Sequence, residues 1–264
     1  MVKVGAKLDP MLCQKCTIEQ ARELVKTDVF VIQRKVDGVR AFIENGRLFD
    51  RRGKEITQQF PEFTGLSQIA QTIDGEIVAQ SGDFNDISGR VHLRDKFRIS
   101  LSSKKIPAIF MAFDMPEVNE QLQARLDGLK LFAEQRGFGW LHVLEWFEGE
   151  RLDERWNTVQ ENAWEGLVMK RVSAKYQPGV RSNDWLKIKA FIETQAEFVK
   201  YEVHPKGVTI ETVEGRRVVV NGAQSSDVVA EFKQNGKVIA EIQYLPQKDS
   251  DAWRFPSFRK LVLV

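Results

Sequence analysis

Apolar residues recur along the chain with two different periods, and the change from one to the other marks its elements. Across TIEQARELVK, Ile18, Ala21, Leu24 and Val25 fall three and four apart, which predicts a short amphipathic helix with Thr17 as its N-cap. Period two then takes over. DVFVIQRK and VRAFIENGRLFD are rich in Val, Ile and Phe and are interrupted at Asp37-Gly38 and Asn45-Gly46, so antiparallel strands joined by tight turns are expected. An Asp-Gly pair favours such a turn because glycine reaches positive φ without cost and aspartate bonds to nearby backbone. TIDGEIVAQ, IPAIFMAFDM and LHVLEWF read as further strands. Between the last two, Leu122, Leu126, Leu129 and Phe132 form one helical stripe, with Asn119 as the expected cap and Gly137 as the stop. ERWNTVQENAWEG reads as another helix.

From about Ala196 the texture changes to short strands with Gly-containing turns, and the longest expected helix there is Ser225 to Lys233. A small barrel of about five strands, the size of an OB-fold, fits that pattern. The fold class expected is therefore α+β: antiparallel sheets with helices over residues 1–190, then a β-barrel OB-fold over 191–264, joined by a short hinge. A length of 264 residues with 42% apolar content is enough for two modest cores. The sequence has no internal repeat, no low-complexity linker and no unbroken apolar run of membrane-spanning length. Its first residues, MVKVGAKLDPML, lack a secretory signal, so an intracellular protein is expected.

The formal net charge is only +2, so affinity for a polyanion must come from local clusters. GRVHLRDKFRISLSSKK gathers Arg90, Arg94, Lys96, Arg98, Lys104 and Lys105 against the single Asp95, a density that can follow a phosphate backbone. On its own such a cluster is more often a solvated face. Cys13 and Cys16 form a lone Cys-x-x-Cys; with no second cysteine pair and with His92, His142 and His204 far apart, neither a zinc site nor redox chemistry is expected.

Candidate chemistry lies where charged residues interrupt apolar strands. Lys35 precedes Asp37-Gly38, and Arg40 begins the returning strand, so the two face a common pocket. A lysine amine with its ordinary pKa is only about 0.1% neutral near pH 7.5, so nucleophilic use needs burial or cationic neighbours. Glu76 lies in DGEIVA, Glu165 and Lys170 in EGLVMK, and Lys187 and Lys189 alternate in WLKIK. Buried lysines are costly unless they meet anions, and a nucleotide phosphate is the obvious anion. A wet strand face explains any one of these segments; five together strain that explanation.

The ordered set KVDGVR, DRRG, DGEIVA, FMAFD, EGLVMK, WLKIK and WRFPSF resembles the motif series of ATP-dependent DNA ligases, in the covalent nucleotidyltransferase superfamily, and spans the chain from about Asp9 to its end. RNA ligases and messenger-RNA capping enzymes share the first motif and remain the alternative. The resemblance implies that residues 1–190 are the nucleotidyltransferase (adenylation) domain. Lys35 would attack the α-phosphate of ATP and form lysyl-AMP, with Gln33 against adenine, Phe113 stacked on it and Glu76 at the ribose. Arg40 and Arg51 would contact phosphates of the nucleotide and the nick, Arg181 the nucleotide, and Lys187 and Lys189 the α-phosphate. Glu165 would position Mg2+ or Mn2+. Arg254 would meet the pyrophosphate end in the first step only, with Lys260 supplying a further basic place. The implied partner is nicked duplex DNA, gripped by the Arg90 to Lys105 cluster among others. The implied enzyme is a monomer of the minimal phage or bacterial type, acting in the cytoplasm without a membrane.

Overall fold

The computed structural model describes residues 9–82, 84–116, 120–247 and 250–262. The chain divides into two compact units, one comprising the residues up to Trp156 with Gly166–Ile188, the other Asn157–Glu165 with the residues from Lys189 onward.

In order, the chain forms β1 (Leu12–Lys15), α1 (Ile18–Leu24), β2 (Phe30–Arg34), β3 (Val39–Glu44), β4 (Arg47–Asp50), β5 (Ile73–Ala79), α2 (Phe84–Ser88) and α3 (Lys96–Lys105). It continues through β6 (Ala108–Asp114), α4 (Leu122–Arg136), β7 (Leu141–Val143), β8 (Trp146–Glu148), α5 (Leu152–Glu161), β9 (Gly166–Arg171) and β10 (Arg181–Lys189). The strands make two five-stranded sheets, ordered β1-β10-β9-β2-β8 and β4-β3-β5-β6-β7. Both are mainly antiparallel, but β1 with β10 and β6 with β7 run parallel, which corrects the expectation of antiparallel sheets throughout.

Local chemistry accounts for most boundaries. Thr17 caps α1 in a capping box: its side chain accepts from Gln20 N–H, while Gln20 Oε1 accepts from Thr17 N–H. The β3–β4 hairpin turns on Asn45 (φ 48°) and Gly46 (φ 72°), a positive pair that suits the twist of the flanking strands. Gly38 serves a different purpose from the one its Asp-Gly context suggests. Its φ is not positive; instead, a Cβ there would stand 2.3 Å from Ile77 O and 2.8 Å from Glu76 Cγ, so only glycine lets the chain pass β5. LHVLEWF is two strands, not one: β7 and β8 belong to different sheets, and between them Leu144 N–H bonds Ala112 O. Asn119 lies outside the described residues; Gln121 occupies the N-cap of α4 without a side-chain bond.

The core of the second sheet contains a run of stacked aromatics, Phe60, Phe63, Trp140 and Phe138, with successive centroids 5.4, 4.7 and 5.3 Å apart. Leu129 and Phe132 of α4 join it, as the helical stripe predicted. Arg125, on the same helix, is wholly buried in a bidentate pair with Asp114 (2.7 and 3.0 Å), and its Nη1 donates to the carbonyls of Glu120 and Ala174.

In the second unit, β11 (Ile192–Phe198), β12 (Lys200–His204), β13 (Gly207–Glu211), β14 (Arg217–Asn221), α6 (Gln224–Asn235), β15 (Val238–Gln247) and β16 (Ser250–Leu261) form two three-stranded sheets, β11-β15-β16 and β12-β13-β14. Alternate residues turn inward, with Val208, Ile210, Val218, Val220, Val238, Ala240 and Ile242 packing on Val228 and Phe232 of α6. Six strands stand where about five were expected, and the helix extends past Ser225 to Lys233 at both ends. No helix among the described residues is long and apolar enough to cross a membrane.

Candidate active site

A cavity of about 330 Å3 opens in the first unit, lined by residues of both its sheets, a size that suits a small organic ligand. Gln33 of β2, Val168 and Lys170 of β9, Trp185 and Lys187 of β10 and Cys13 of β1 line it from one sheet; Arg40 of β3, Glu76 of β5 and Phe113 of β6 line it from the other. Lys35 follows β2 directly. Its N–H donates to Gly166 O at 2.8 Å, which continues the β2–β9 ladder up to the lysine and fixes its backbone. Register places Arg40 opposite Glu76 on β3 and β5. Among the described residues, seven cations, Arg34, Lys35, Arg40, Arg51, Lys170, Arg181 and Lys187, line the cavity against the one carboxylate Glu76. In a chain of net charge +2, that concentration is a local feature built to hold an anion.

A closed hydrogen-bond circuit holds Arg40. Its Nε and Nη2 donate to Asp74 at 3.0 and 2.6 Å, and its Nη1 donates to Met11 O at 2.8 Å. Met11 N–H donates to Tyr176 Oη (3.1 Å), whose own proton goes to Asp74 Oδ2 (2.8 Å). Burial alone would lower the Arg40 pKa, but the fully buried Asp74 carboxylate outweighs it and holds the guanidinium above its ordinary value. Burial, aided by Asp74, likewise raises Tyr176, which stays a donor.

Lys170 is 2% exposed and forms no ion pair among the described residues; its Nζ donates to Phe113 O at 2.9 Å and lies 4.6 Å from the Phe113 ring centroid and 4.1 Å from that of Trp185. Burial lowers its pKa to about 8, against the opposing pull of Asp114 and Asp74. The Cys13 thiol is raised by burial and stays neutral. Two polar atoms in the lining have no partner among the described residues: Gln33 is 1% exposed and its Nε2 donates to Leu144 O at 3.4 Å, which leaves its Oε1 over, and the buried Trp185 Nε1–H is left over as well.

Of the residues singled out in the sequence, Gln33, Lys35, Arg40, Arg51, Glu76, Phe113, Arg181 and Lys187 all line this one cavity. Lys189 and Glu165 do not; they pair with each other at 2.6 Å in the second unit. Arg254 lies on β16 in that unit, and Lys260 pairs with Glu241 at 3.3 Å. Arg90 must be taken out of the surface cluster. It is 2% exposed, and its guanidinium is committed to Glu62 (2.5 Å) and to the carbonyls of Gln59 and Ile106, so no donor face is left for a nucleic acid. Sequence reasoning missed Cys13, Trp185, Asp74 and Tyr176 as parts of the site or its support. Only Trp185 carried a signal, as an aromatic residue just ahead of the alternating lysines.

The ATP dependent DNA ligase domain profile matches residues 10–189, which contain every residue lining the cavity. DNA ligase 2 of Korarchaeum cryptofilum is 28% identical over 212 residues, covering 71% of this chain and 35% of that protein. The bifunctional non-homologous end joining protein LigD of Bacillus subtilis is 29% identical over 187 residues, 60% of this chain and 31% of its own. The chain thus spans about a third of the length of these curated relatives. Among solved structures, a Lig E DNA ligase matches with a TM-score of 0.73 at 20% identity, over 96% of this chain and 99% of its own. The ATP-dependent DNA ligase of bacteriophage T7, in complex with ATP, matches at 0.55 and 18% identity, over 98% and 100%. The mixed arrangement of sheets and helices is the fold of these enzymes, and the chain belongs to the ATP-dependent DNA ligase domain family.

Proposed function

We propose that the chain is an ATP-dependent ligase that seals nicks in duplex DNA. The observation that carries this reading is the placement of Lys35 in a cavity with six other cations and one buried, unpartnered amide oxygen, Gln33 Oε1. An amide acceptor of that kind matches the exocyclic amine of adenine and repels the carbonyl that guanine presents at the same position, which favours ATP over the GTP of capping-type enzymes. Lys35 Nζ, deprotonated among cationic neighbours, attacks the α-phosphorus; the bond to the bridging oxygen breaks, pyrophosphate leaves, and lysyl-AMP remains. AMP then passes to the 5′-phosphate of a nick, and the 3′-hydroxyl displaces it. Arg51, Arg181 and Lys187 neutralise phosphate charge, Arg40 is aimed by Asp74, Glu76 takes the ribose and Phe113 the base.

A divalent ion such as Mg2+ neutralises the triphosphate and the developing charge when bound. The carboxylate assigned to that ion is Glu165, which lies outside the cavity lining and is paired with Lys189. Lys189, its ion-pair partner, then serves by holding that carboxylate. We read residues 1–190 as the nucleotidyltransferase domain and 191–264 as an OB-fold domain of a monomeric, cytoplasmic enzyme. The two β-sheets around α6 support the OB-fold reading. Incubation with α-labelled ATP and Mg2+ should label the chain covalently, and Lys35→Ala should abolish the label; a label that survives this change sinks the mechanism.

A further inference from the structure

The basic segment after α2 takes no part in the cavity, and its structure separates it from an ordinary solvated face. Arg94, Lys96, Arg98, Lys104 and Lys105 are all exposed, and none forms an ion pair or other side-chain bond among the described residues. The nearby carboxylate, Asp95, is spent as the N-cap of α3, accepting from Arg98 N–H at 2.8 Å. Some surface arginines elsewhere do find partners, as Arg22 does with Asp153 and Arg151 with Glu154, while Arg51 and Arg52, like the cations here, have no ion pair among the described residues. Among these cations stand two bare apolar side chains, Phe97 at 75% and Leu101 at 56% exposure. On a helix, Phe97, Leu101 and Lys104–Lys105 share one face, with Arg98 beside it, opposite the buried Ile99 that anchors α3 to the protein.

We infer that α3 with Arg94 is a docking surface for the backbone of duplex DNA, in which the cations meet phosphates and Phe97 and Leu101 lie against the sugars between them. The inference rests on the ligase reading for the identity of the polyanion. Scale agrees: at 1.5 Å per residue α3 is about 15 Å long, the span of roughly four phosphates along one strand. Charge complementarity favours DNA over a membrane, because an interfacial helix needs a wide apolar face and α3 offers two apolar side chains among four cations of its own. Phosphate contacts fix position without reading sequence, as a nick-sealing enzyme requires.

The test compares the full chain with the variant R94Q/K96Q/R98Q/K104Q/K105Q, and with F97A/L101A, by binding to nicked duplex DNA between 50 and 200 mM salt, with lysyl-AMP formation measured in parallel. The five-fold variant should bind at least tenfold more weakly at 100 mM salt. Its plot of log affinity against log salt should be shallower by about 3 to 4, since each phosphate contact contributes roughly 0.9. F97A/L101A should weaken binding several-fold at every salt with the slope unchanged. Lysyl-AMP formation should stay at the starting level in both, because α3 lines no part of the cavity. An unchanged affinity and slope in the five-fold variant overturns the surface while leaving the ligase reading intact; a starting chain that forms no lysyl-AMP overturns the ligase reading. Co-sedimentation with phosphatidylserine vesicles that is lost in the five-fold variant, alongside unaltered DNA binding, assigns α3 to a membrane and also overturns the inference.

Discussion

Among the described residues Lys170 has no carboxylate partner and is held by a carbonyl and two aromatic faces. With a native pKa near 8 against an ordinary 10.5, the unfolded chain holds this proton more tightly than the folded one. Between those two values the unfolded state binds more protons, so stability rises with pH across the window and is lost again as pH falls through 8. The shift corresponds to on the order of 3 kcal/mol. In Lys170→Met, urea titrations from pH 7.5 to 10.5 should lose this rise relative to the starting chain. A second residue-scale prediction concerns Tyr176→Phe. It strands the Met11 N–H and takes one donor from Asp74, which should cost about 1 to 2 kcal/mol in denaturant unfolding and raise the KM for ATP more than it lowers kcat. These partners were not legible in the sequence. Lys35, Glu76 and Lys187 announce themselves as charges inside apolar strands, whereas Asp74 and Tyr176 meet across 102 residues and Arg90 is claimed by a glutamate 28 residues upstream. Spacing carries no information about contacts at that range.

Elements were easier to read than contacts because their causes are local. Thr17 caps α1, Asn45-Gly46 turns the β3–β4 hairpin and Gly137 ends α4 in the left-handed conformation, each as its residue type dictates. Failures came where tertiary packing decides. β7 and β8 look continuous in sequence, yet the chain changes sheets between them. β1, four residues long, carries no alternating signal and depends on its parallel partner β10. Gly38 was legible as a required glycine, but for the wrong reason. Since its place is set by the approach to Ile77 O, Gly38→Ala should force β3 from β5, destabilise the chain by at least about 2 kcal/mol and move Arg40 from Glu76. A thermal melt within a degree of the starting chain contradicts that account.

At the scale of the whole molecule, a net charge of +2 conceals two strongly positive zones, seven cations around one cavity and five on and just before α3. Under the proposed function these serve different steps, the first holding nucleotide and the second DNA. Arg254, in the second unit, is assigned to the pyrophosphate end alone. Arg254→Ala should therefore cut lysyl-AMP formation by at least tenfold in single-turnover labelling, while protein already carrying AMP seals a nick at close to the original rate. Equal losses in both reactions contradict that division.

The pairing of β1 with β10, Leu12 opposite Arg181, has a consequence during synthesis. One wall of the cavity is begun with β1 and completed only when its partner strand β10 emerges from the ribosome, after about 170 further residues. At roughly 5 to 20 residues per second, the nascent polypeptide passes about 7 to 30 s with Lys35 already made and no enclosure around it. Under the proposed function, a chain still in translation is unable to charge itself with AMP, and ribosome-bound fragments halted before β10 should remain unlabelled.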